Sequence, residues 1–174
     1  HVLSCAHVVN LALGRDPAVP GQPADPVPIS FPLARRAPAV QAHVVCWHPV
    51  SDGPGPEDIA VLRLETAPPA DVAPATFADP AVDQRVRAYG YPRGSRFGNW
   101  HDGRVLGRLE NGWHQIDDDS SIGVFLQPGF SGTPLWDAAR GCALGIVVAA
   151  ETGEDRQGVG YMIPAAVLRE AWQG

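Results

Sequence analysis

Three polar residues, in the order His, Asp, Ser, lie in surroundings that suit nucleophilic catalysis. His7 lies in an apolar segment, LSCAHVV, and Asp58 leads directly into the apolar run IAVLRL. Ser131 is flanked by glycines in PGFSGTPL, where a sharp turn can present its hydroxyl without crowding. A serine that is activated by a histidine, itself oriented by a carboxylate, can attack a carbonyl carbon. The three residue types therefore indicate acyl-transfer chemistry.

Each of the three residues also has an ordinary structural explanation. A histidine in an apolar segment more often packs in a core or lies on the surface, and an aspartate before a strand commonly ends a loop. A serine between glycines can belong to a turn that has no function. The hypothesis of a catalytic site depends on the joint occurrence of all three.

Nine short apolar runs of strand length lie along the chain and would have to position these residues. Each is bounded by Pro, Gly or Asp, and they cover 29–33, 40–47, 59–64, 85–89, 103–109, 112–116, 123–126, 143–149 and 158–163. Only the tail, 164–173 (PAAVLREAWQ), is predicted to be helical, because it begins with Pro and its apolar residues recur at helical spacing. Many short strands favour a β-sandwich or barrel and exclude alternating βαβ units.

Composition excludes several classes of function. The chain has 174 residues with a formal net charge of −6, and without a basic stripe no nucleic-acid partner is expected. No apolar run approaches the roughly 18 residues that a membrane span needs, so no membrane partner is expected either. The histidines and cysteines show no metal-ligand spacing, and the chemistry above needs no metal or organic cofactor.

Cys5, Cys46 and Cys142 are three in number and widely spaced, so they define no disulfide framework. Buried thiols in a reducing compartment are the favoured interpretation. A bridge between Cys5 and Cys46 is the alternative.

Segments of the chain resemble, in the same order, those of the chymotrypsin-like and trypsin-like serine proteases. LSCAHVV is similar to the TAAH segment of that superfamily, EDIAVLRL to its D-I-A-L-L segment and PGFSGTPL to its G-D-S-G-G-P segment. AYGYP at 88–92 resembles the turn that opens the second barrel in HtrA-like proteases, and ALGIV at 143–147 resembles the strand after the nucleophile. The chain most resembles bacterial trypsin-like domains of the effector-associated type, which belong to larger signalling or defence proteins.

The resemblance implies an all-β fold with two six-stranded Greek-key barrels and a C-terminal helix. Only six residues precede His7, whereas the superfamily normally has a strand or hairpin there, so either residues have been removed or the first barrel is open on one side. The expected division is 1–78, with His7 and Asp58, and 79–174, with Ser131 and the helix, all as one peptidase domain of a larger protein. The bacterial cytoplasm is the expected location, with secretion as the alternative.

The resemblance further implies a serine endopeptidase that cleaves polypeptides through an acyl-enzyme. Ser131 would be the nucleophile, His7 the base and Asp58 its partner, while the backbone N–H groups of Gly129 and Ser131 would bind the oxyanion. Phe130 replaces the Asp of digestive members, so activation by a freed N-terminus is not expected. The alternatives are a catalytically silent or latent module that binds or senses, with other domains of the same protein as partners, and an esterase that uses the same triad.

Substrate preference is predicted from positions that line the primary pocket in the superfamily, which correspond here to Phe125, Gln127, Pro128, Val148, Ala149 and Ala150. No acidic residue stands among them, so a preference for Arg or Lys is not expected. The side chains at 148–150 replace the glycine that often opens this pocket. A shallow apolar pocket for small or medium aliphatic side chains follows.

Overall fold

The structure is a computed structural model that describes residues 1–34, 37–51, 57–118, 124–150 and 159–174. Residues 1–75 form one compact unit and residues 76–173 form another. The elements of the first unit are β1 (Val2–Ser4), α1 (Ala6–Ala12), β2 (Val27–Ile29), β3 (Val40–His48) and β4 (Ile59–Leu64). Those of the second are β5 (Arg85–Gly90), β6 (Asn99–Arg108), β7 (His114–Asp118), β8 (Pro134–Asp137), β9 (Cys142–Ala150), β10 (Val159–Pro164) and α2 (Ala165–Ala171).

The first unit is built on an antiparallel sheet with the strand order β1-β4-β3-β2. The central strand β4 is buried on both faces, since none of the four residues from Ile59 to Leu62 is more than 1% exposed. This burial explains why β4 has a continuous apolar sequence rather than an alternating one. Below the sheet, Val9 of α1 packs with Val27, Ala42 and Val44 in one apolar cluster.

Helix α1 was not predicted, and the expectation that only the tail is helical is wrong. The helix buries Ala6, Val9 and Asn10, which follow the spacing of one helical face. The sequence stretch around it is apolar enough to be compatible with a strand as well, and its first helical residue is preceded by Cys5 rather than by Ser, Thr, Asp or Asn. No local signal therefore marks where α1 begins.

Asn10 ties α1 to the proline-rich segment that follows it. Its side chain is buried, and its Nδ2 donates to the carbonyl oxygens of Pro17 at 3.1 Å and Val19 at 3.0 Å. We expect Asn10→Ala to lower the free energy of unfolding by about 2 kcal/mol, because two hydrogen bonds of about 1 kcal/mol each are lost. Urea denaturation followed by circular dichroism measures the change.

The control for this prediction is Asn111→Ala. The side chain of Asn111 accepts a hydrogen bond from the Trp113 N–H in an exposed turn. Water can replace that partner, so the change should stay within about 0.5 kcal/mol. Equal losses in the two variants would contradict the anchoring role of Asn10.

The second unit contains a closed antiparallel barrel with the strand order β10-β7-β6-β5-β8-β9. Side chains from all six strands fill its interior, together with those of two residues from the segment between β7 and β8. The cluster consists of Val86, Ala88, Val105, Ile116, Leu126, Phe130, Leu135, Cys142, Leu144, Val147 and Met162. The predicted tail helix is present as α2, and Pro164 precedes it as the N-cap residue.

Two of the predicted strands, 29–33 and 123–126, differ most from the structure, and the strands β1 and β8 were not predicted. The strand predicted at 29–33 is β2, which ends at Ile29, because the chain turns where Ala34 N–H donates to the Phe31 carbonyl. Residues 124–126 of the strand predicted at 123–126 lie outside any strand, and residue 123 is not among the described residues. The unpredicted strand β8 takes the place beside β5 and β9 in the barrel, so residues 124–126 serve as a connection.

In the described part of the chain, no helix is long and apolar enough to cross a membrane.

Candidate active site

The strand register of the first unit explains how Asp58 reaches α1. In the antiparallel pair β1–β4, Ser4 lies opposite Ala60 and Leu3 lies opposite Val61. Continuing the same register places position 6 opposite position 58. The first turn of α1 therefore begins beside Asp58, although His7 and Asp58 are 51 residues apart in the sequence.

The carboxylate of Asp58 holds His7 by two atoms at once. Its Oδ1 accepts the backbone N–H of His7 at 2.9 Å, and its Oδ2 lies 2.6 Å from His7 Nδ1. Asp58 is buried, whereas the side chain of His7 is 20% exposed. An ionised carboxylate can only accept hydrogen bonds, so Nδ1 carries the proton of the neutral ring. The other nitrogen, Nε2, is then the basic one.

The backbone of Asp58 is also specifically held. Its φ is +54°, a left-handed conformation that Asp adopts more readily than most residues, and its N–H donates to the Pro49 carbonyl at 3.2 Å. Cys5, the N-cap residue of α1, makes no side-chain cap hydrogen bond. Asp58, which immediately precedes β4, therefore supplies the acceptor that the N-terminus of α1 needs, and this contact fixes the imidazole to a rigid frame.

Ser131 lies within two consecutive turns of the second unit. Phe130 N–H donates to the Gln127 carbonyl at 3.1 Å, and Thr133 N–H donates to the Phe130 carbonyl at 3.0 Å. The third residue of each turn is a glycine with positive φ, Gly129 at +109° and Gly132 at +81°. This pattern is typical of type II turns, in which the third position favours glycine. The glycines at positions 129 and 132 are therefore explained by backbone geometry.

The two turns contain backbone N–H groups that could bind an oxyanion. In the part of the chain that the structure describes, the N–H groups of Gly129 and Ser131 donate to no backbone carbonyl. A type II turn reverses its central peptide relative to type I, which here sets the direction of the Gly129 N–H. The Ser131 hydroxyl lies 3.5 Å from the Val148 carbonyl, at the limit of a hydrogen bond.

Phe130 anchors the Ser131 turns in the barrel. Its ring is fully buried, and a Cβ on Gly90 would lie 2.5 Å from the ring atom Cδ1. On one side, Tyr91 N–H donates to the Gly129 carbonyl at 2.9 Å, and on the other, Gly132 N–H donates to the Val147 carbonyl at 2.7 Å. An apolar side chain at position 130 thus holds the turn in place.

The residues predicted to line the substrate pocket differ in exposure. Phe125 is 43% exposed, Pro128 is exposed and Gln127 is half-buried, whereas Val148 is buried and offers its carbonyl oxygen to Ser131. The side chains of Ala149 and Ala150 lie outside the described part of the structure. The preference for small or medium aliphatic residues stays a prediction.

Cys5 is a residue of this site that the sequence hypothesis did not include. Single ligand atoms of Cys5, His7 and Asp58 all lie within 4.8 Å of one another. In the sequence, Cys5 lies only two residues before His7, but the group of three potential ligands forms only when the fold brings Asp58 to them. None of the three cysteines, all of which are described, forms a disulfide, so the alternative bridge between Cys5 and Cys46 is absent from the structure.

Comparison with known protein families gives a match over most of the chain. Residues 1–146 match the model of the trypsin-like peptidase domain. The chain belongs to the trypsin-like peptidase family. Curated protein sequences show no significant similarity to it.

Solved protease structures share the fold of this family member. The serine endoprotease from Yersinia pestis is 19% identical, is matched over 97% of this chain and 50% of its own, and has a TM-score of 0.67. The HtrA-type protease AlgW, solved with a decapeptide, is 23% identical over 98% of this chain and 46% of its own, with a TM-score of 0.68. A protease from M. tuberculosis in its active form is 22% identical over 97% and 66% of the two chains, with a TM-score of 0.62.

The predicted trypsin-like double-barrel fold is confirmed by the family match and these structures. The second unit has the closed six-stranded barrel, and the described residues of the first form a half-barrel of four strands. The chain spans about half the length of the Yersinia pestis enzyme and of AlgW.

Proposed function

We propose that the chain is a serine endopeptidase in which Ser131, His7 and Asp58 act as a catalytic triad. The observation that carries the proposal is the double hold of the Asp58 carboxylate on the backbone N–H and the Nδ1 of His7. A structural aspartate needs only one of these contacts to cap a helix. The second contact selects the tautomer that a general base requires. Membership of the trypsin-like peptidase family supports peptide-bond hydrolysis as the reaction.

The proposed reaction begins when the Ser131 oxygen attacks the scissile carbonyl carbon and its proton passes to His7 Nε2. The carbonyl oxygen becomes an oxyanion, and the N–H groups of Gly129 and Ser131 stabilise it by about 3 kcal/mol per donor. His7 then gives the proton to the leaving amine, and the C–N bond breaks to leave an acyl-enzyme. A water molecule repeats the attack, again with His7 as base, and releases the acid and free Ser131.

Asp58 stays ionised throughout this cycle and stabilises the imidazolium that forms on His7. The substrate is a polypeptide, and none of the residues proposed to line its primary pocket, Phe125, Gln127, Pro128, Val148, Ala149 and Ala150, is acidic, so no preference for Arg or Lys is expected. Other domains of a longer protein are proposed partners. The cytoplasmic location expected from the sequence stays a prediction.

The proposal is tested by intact-mass detection of a fluorophosphonate adduct. The reagent needs an activated serine and an oxyanion site but no particular peptide sequence, so an unknown substrate is no obstacle. We expect one adduct per chain, and we expect none with Ser131→Ala. Ser95→Ala is the matched control, because Ser95 lies in another turn of the same unit and should leave the adduct unchanged.

The absence of an adduct on a chain that circular dichroism shows to be folded would contradict an active endopeptidase. It would favour the alternative of a silent or latent module that has kept the three residues. An adduct that persists in Ser131→Ala would assign the reactive serine elsewhere.

A further inference from the structure

A thiol, an imidazole and a carboxylate meet at the start of α1. The ligand atoms of Cys5, His7 and Asp58 lie within 4.8 Å of one another. Cys5 is fully buried, Asp58 is 4% exposed and the side chain of His7 is 20% exposed. The peptidase reaction uses His7 and Asp58 but has no role for a thiol beside them. The peptidase function therefore does not explain why a thiol lies beside these two side chains, and the three together could hold a metal ion.

We propose that Cys5, His7 and Asp58 bind a thiophilic divalent cation such as Zn²⁺, and that the bound ion switches off the catalytic base. The inhibitory part of this proposal rests on the proposed function, whereas the binding part does not. Thiolate, imidazole and carboxylate are the three kinds of side-chain ligand that Zn²⁺ takes in proteins. The thiolate disfavours Mg²⁺ and Ca²⁺, which prefer oxygen ligands.

The required change in geometry is small. Atoms bound tetrahedrally at roughly 2.0–2.3 Å from an ion lie about 3.3–3.8 Å from one another. The pair His7 Nδ1 and Asp58 Oδ2, now 2.6 Å apart, must therefore widen, and the most distant pair within the 4.8 Å group must approach by about 1 Å. Side-chain rotations supply such shifts. Three protein ligands leave a fourth position for water, and the partly exposed His7 provides the route by which the ion enters.

Binding would reverse the tautomer on which catalysis depends. The ion takes the place of the proton between His7 Nδ1 and Asp58, and that proton moves to Nε2 of the same ring. The Cys5 thiol loses its proton to solvent, so one proton is released for each ion bound. With Nε2 protonated and Nδ1 coordinated, His7 has no lone pair with which to accept the Ser131 proton. Removing the ion restores the original state.

The other two cysteines provide matched controls. Cys46 is half-buried, and burial raises the pKa of its thiol above the ordinary value. Cys142 is buried in the barrel core. Among the described residues, neither belongs to a comparable group of potential ligands. Cys46→Ser and Cys142→Ser should therefore leave metal binding unchanged.

The binding experiment is a titration of the full chain with Cd²⁺, which forms a thiolate-to-metal absorption band in the ultraviolet. We expect a band that saturates at one ion per chain and is lost in Cys5→Ser. Loss of this ligand should weaken binding by more than the roughly 10–100-fold that removal of an outer partner costs. Serine has nearly the same shape as cysteine and is a favoured N-cap residue, so Cys5→Ser should keep α1 intact.

A second variant tests the proposal even if Cys5→Ser does not fold. In the double variant Cys46→Ser/Cys142→Ser, Cys5 is the only thiol left, and the band should persist with unchanged amplitude. Its loss from a folded double variant would overturn the proposal. A band of unchanged strength in folded Cys5→Ser would overturn it equally.

The inhibition experiment measures the rate of fluorophosphonate adduct formation with and without Zn²⁺. We expect saturating Zn²⁺ to slow the wild-type reaction by about 100-fold or more, the usual contribution of a general base, and a chelator to restore it. Cys5→Ser should react at the same rate with and without Zn²⁺. Equal inhibition of both chains would contradict the inhibitory role.

The two proposals can fail separately. Ser131→Ala should bind Cd²⁺ normally, because Ser131 is not a ligand. A Cys5-dependent band on a chain that forms no adduct would keep the metal site and contradict the peptidase. An adduct on a chain that shows no band would keep the peptidase and contradict the metal site.

Discussion

Replacing Asp58 with Asn is expected to lower kcat/KM for peptide or ester substrates by about 10⁴-fold. The Asn side chain has nearly the same shape, but its amide group can donate to His7 Nδ1 where the carboxylate could only accept. The imidazole would then carry its proton on Nε2, which is the wrong tautomer for a base. The loss should appear in kcat, because Asp58 is not proposed to contact the substrate.

Asp137→Asn is the matched control for this prediction. Asp137 is equally buried, but its carboxylate accepts hydrogen bonds from the Gln84 side chain and from the N–H groups of Ala139 and Arg140, with no histidine. Burial alone would raise its pKa, yet these hydrogen bonds and the charge of Arg140 together lower it below the ordinary value. Asp137 is therefore ionised at neutral pH. Its replacement should reduce stability and change kcat/KM by only a few-fold.

The comparison separates catalysis from stability. Asn is itself a good helix-capping residue, so Asp58→Asn should retain α1 and the thermal transition of the first unit. Thermal unfolding followed by circular dichroism checks this point for both variants. A kcat/KM of Asp58→Asn within tenfold of the wild-type value would show that the His7 pair is a structural contact only.

The catalytic hypothesis could be made from the sequence because its three residues lie in short local patterns. The glycines on either side of Ser131 are needed by two turns, and the apolar run after Asp58 becomes the central strand β4. Such patterns survive in a sequence because they follow from backbone geometry within a few residues. The hydrogen bond between His7 and Asp58 is seen in the structure, but neither sequence segment by itself predicts it.

What could not be predicted depends on contacts between distant residues. The register of β1 against β4 brings α1 to Asp58, and this long-range acceptor replaces the local cap that would have marked where the helix begins. For the same reason, the sequence could not predict that Cys5 lies beside both His7 and Asp58. One strand was predicted wrongly at 124–126, because this apolar run pairs with no strand of the sheet. Strand β8 was missed because it is only four residues long and has no clear apolar run.

Replacing Gly129 with Ala is expected to lower kcat/KM by about 10²–10³-fold, the usual effect of losing one oxyanion donor. The backbone of Gly129 has a φ of +109°, and a Cβ there would collide with the Tyr91 carbonyl oxygen and lie 2.7 Å from Pro92 Cα. Both obstacles are backbone atoms, which cannot rotate away. The turn must therefore shift, and the Gly129 N–H would move with it.

Gly94→Ala distinguishes this collision from the general cost of positive φ. Gly94 has a φ of +87°, but a Cβ there would meet nothing within 4 Å. Both variants should lose about 1 kcal/mol or more of stability, because Ala is disfavoured at positive φ. Only Gly129→Ala should also form the fluorophosphonate adduct more slowly. Equal rates in the two variants would mean that the Gly129 N–H does not bind the oxyanion, and the stabilisation assigned to it would have to come from another donor.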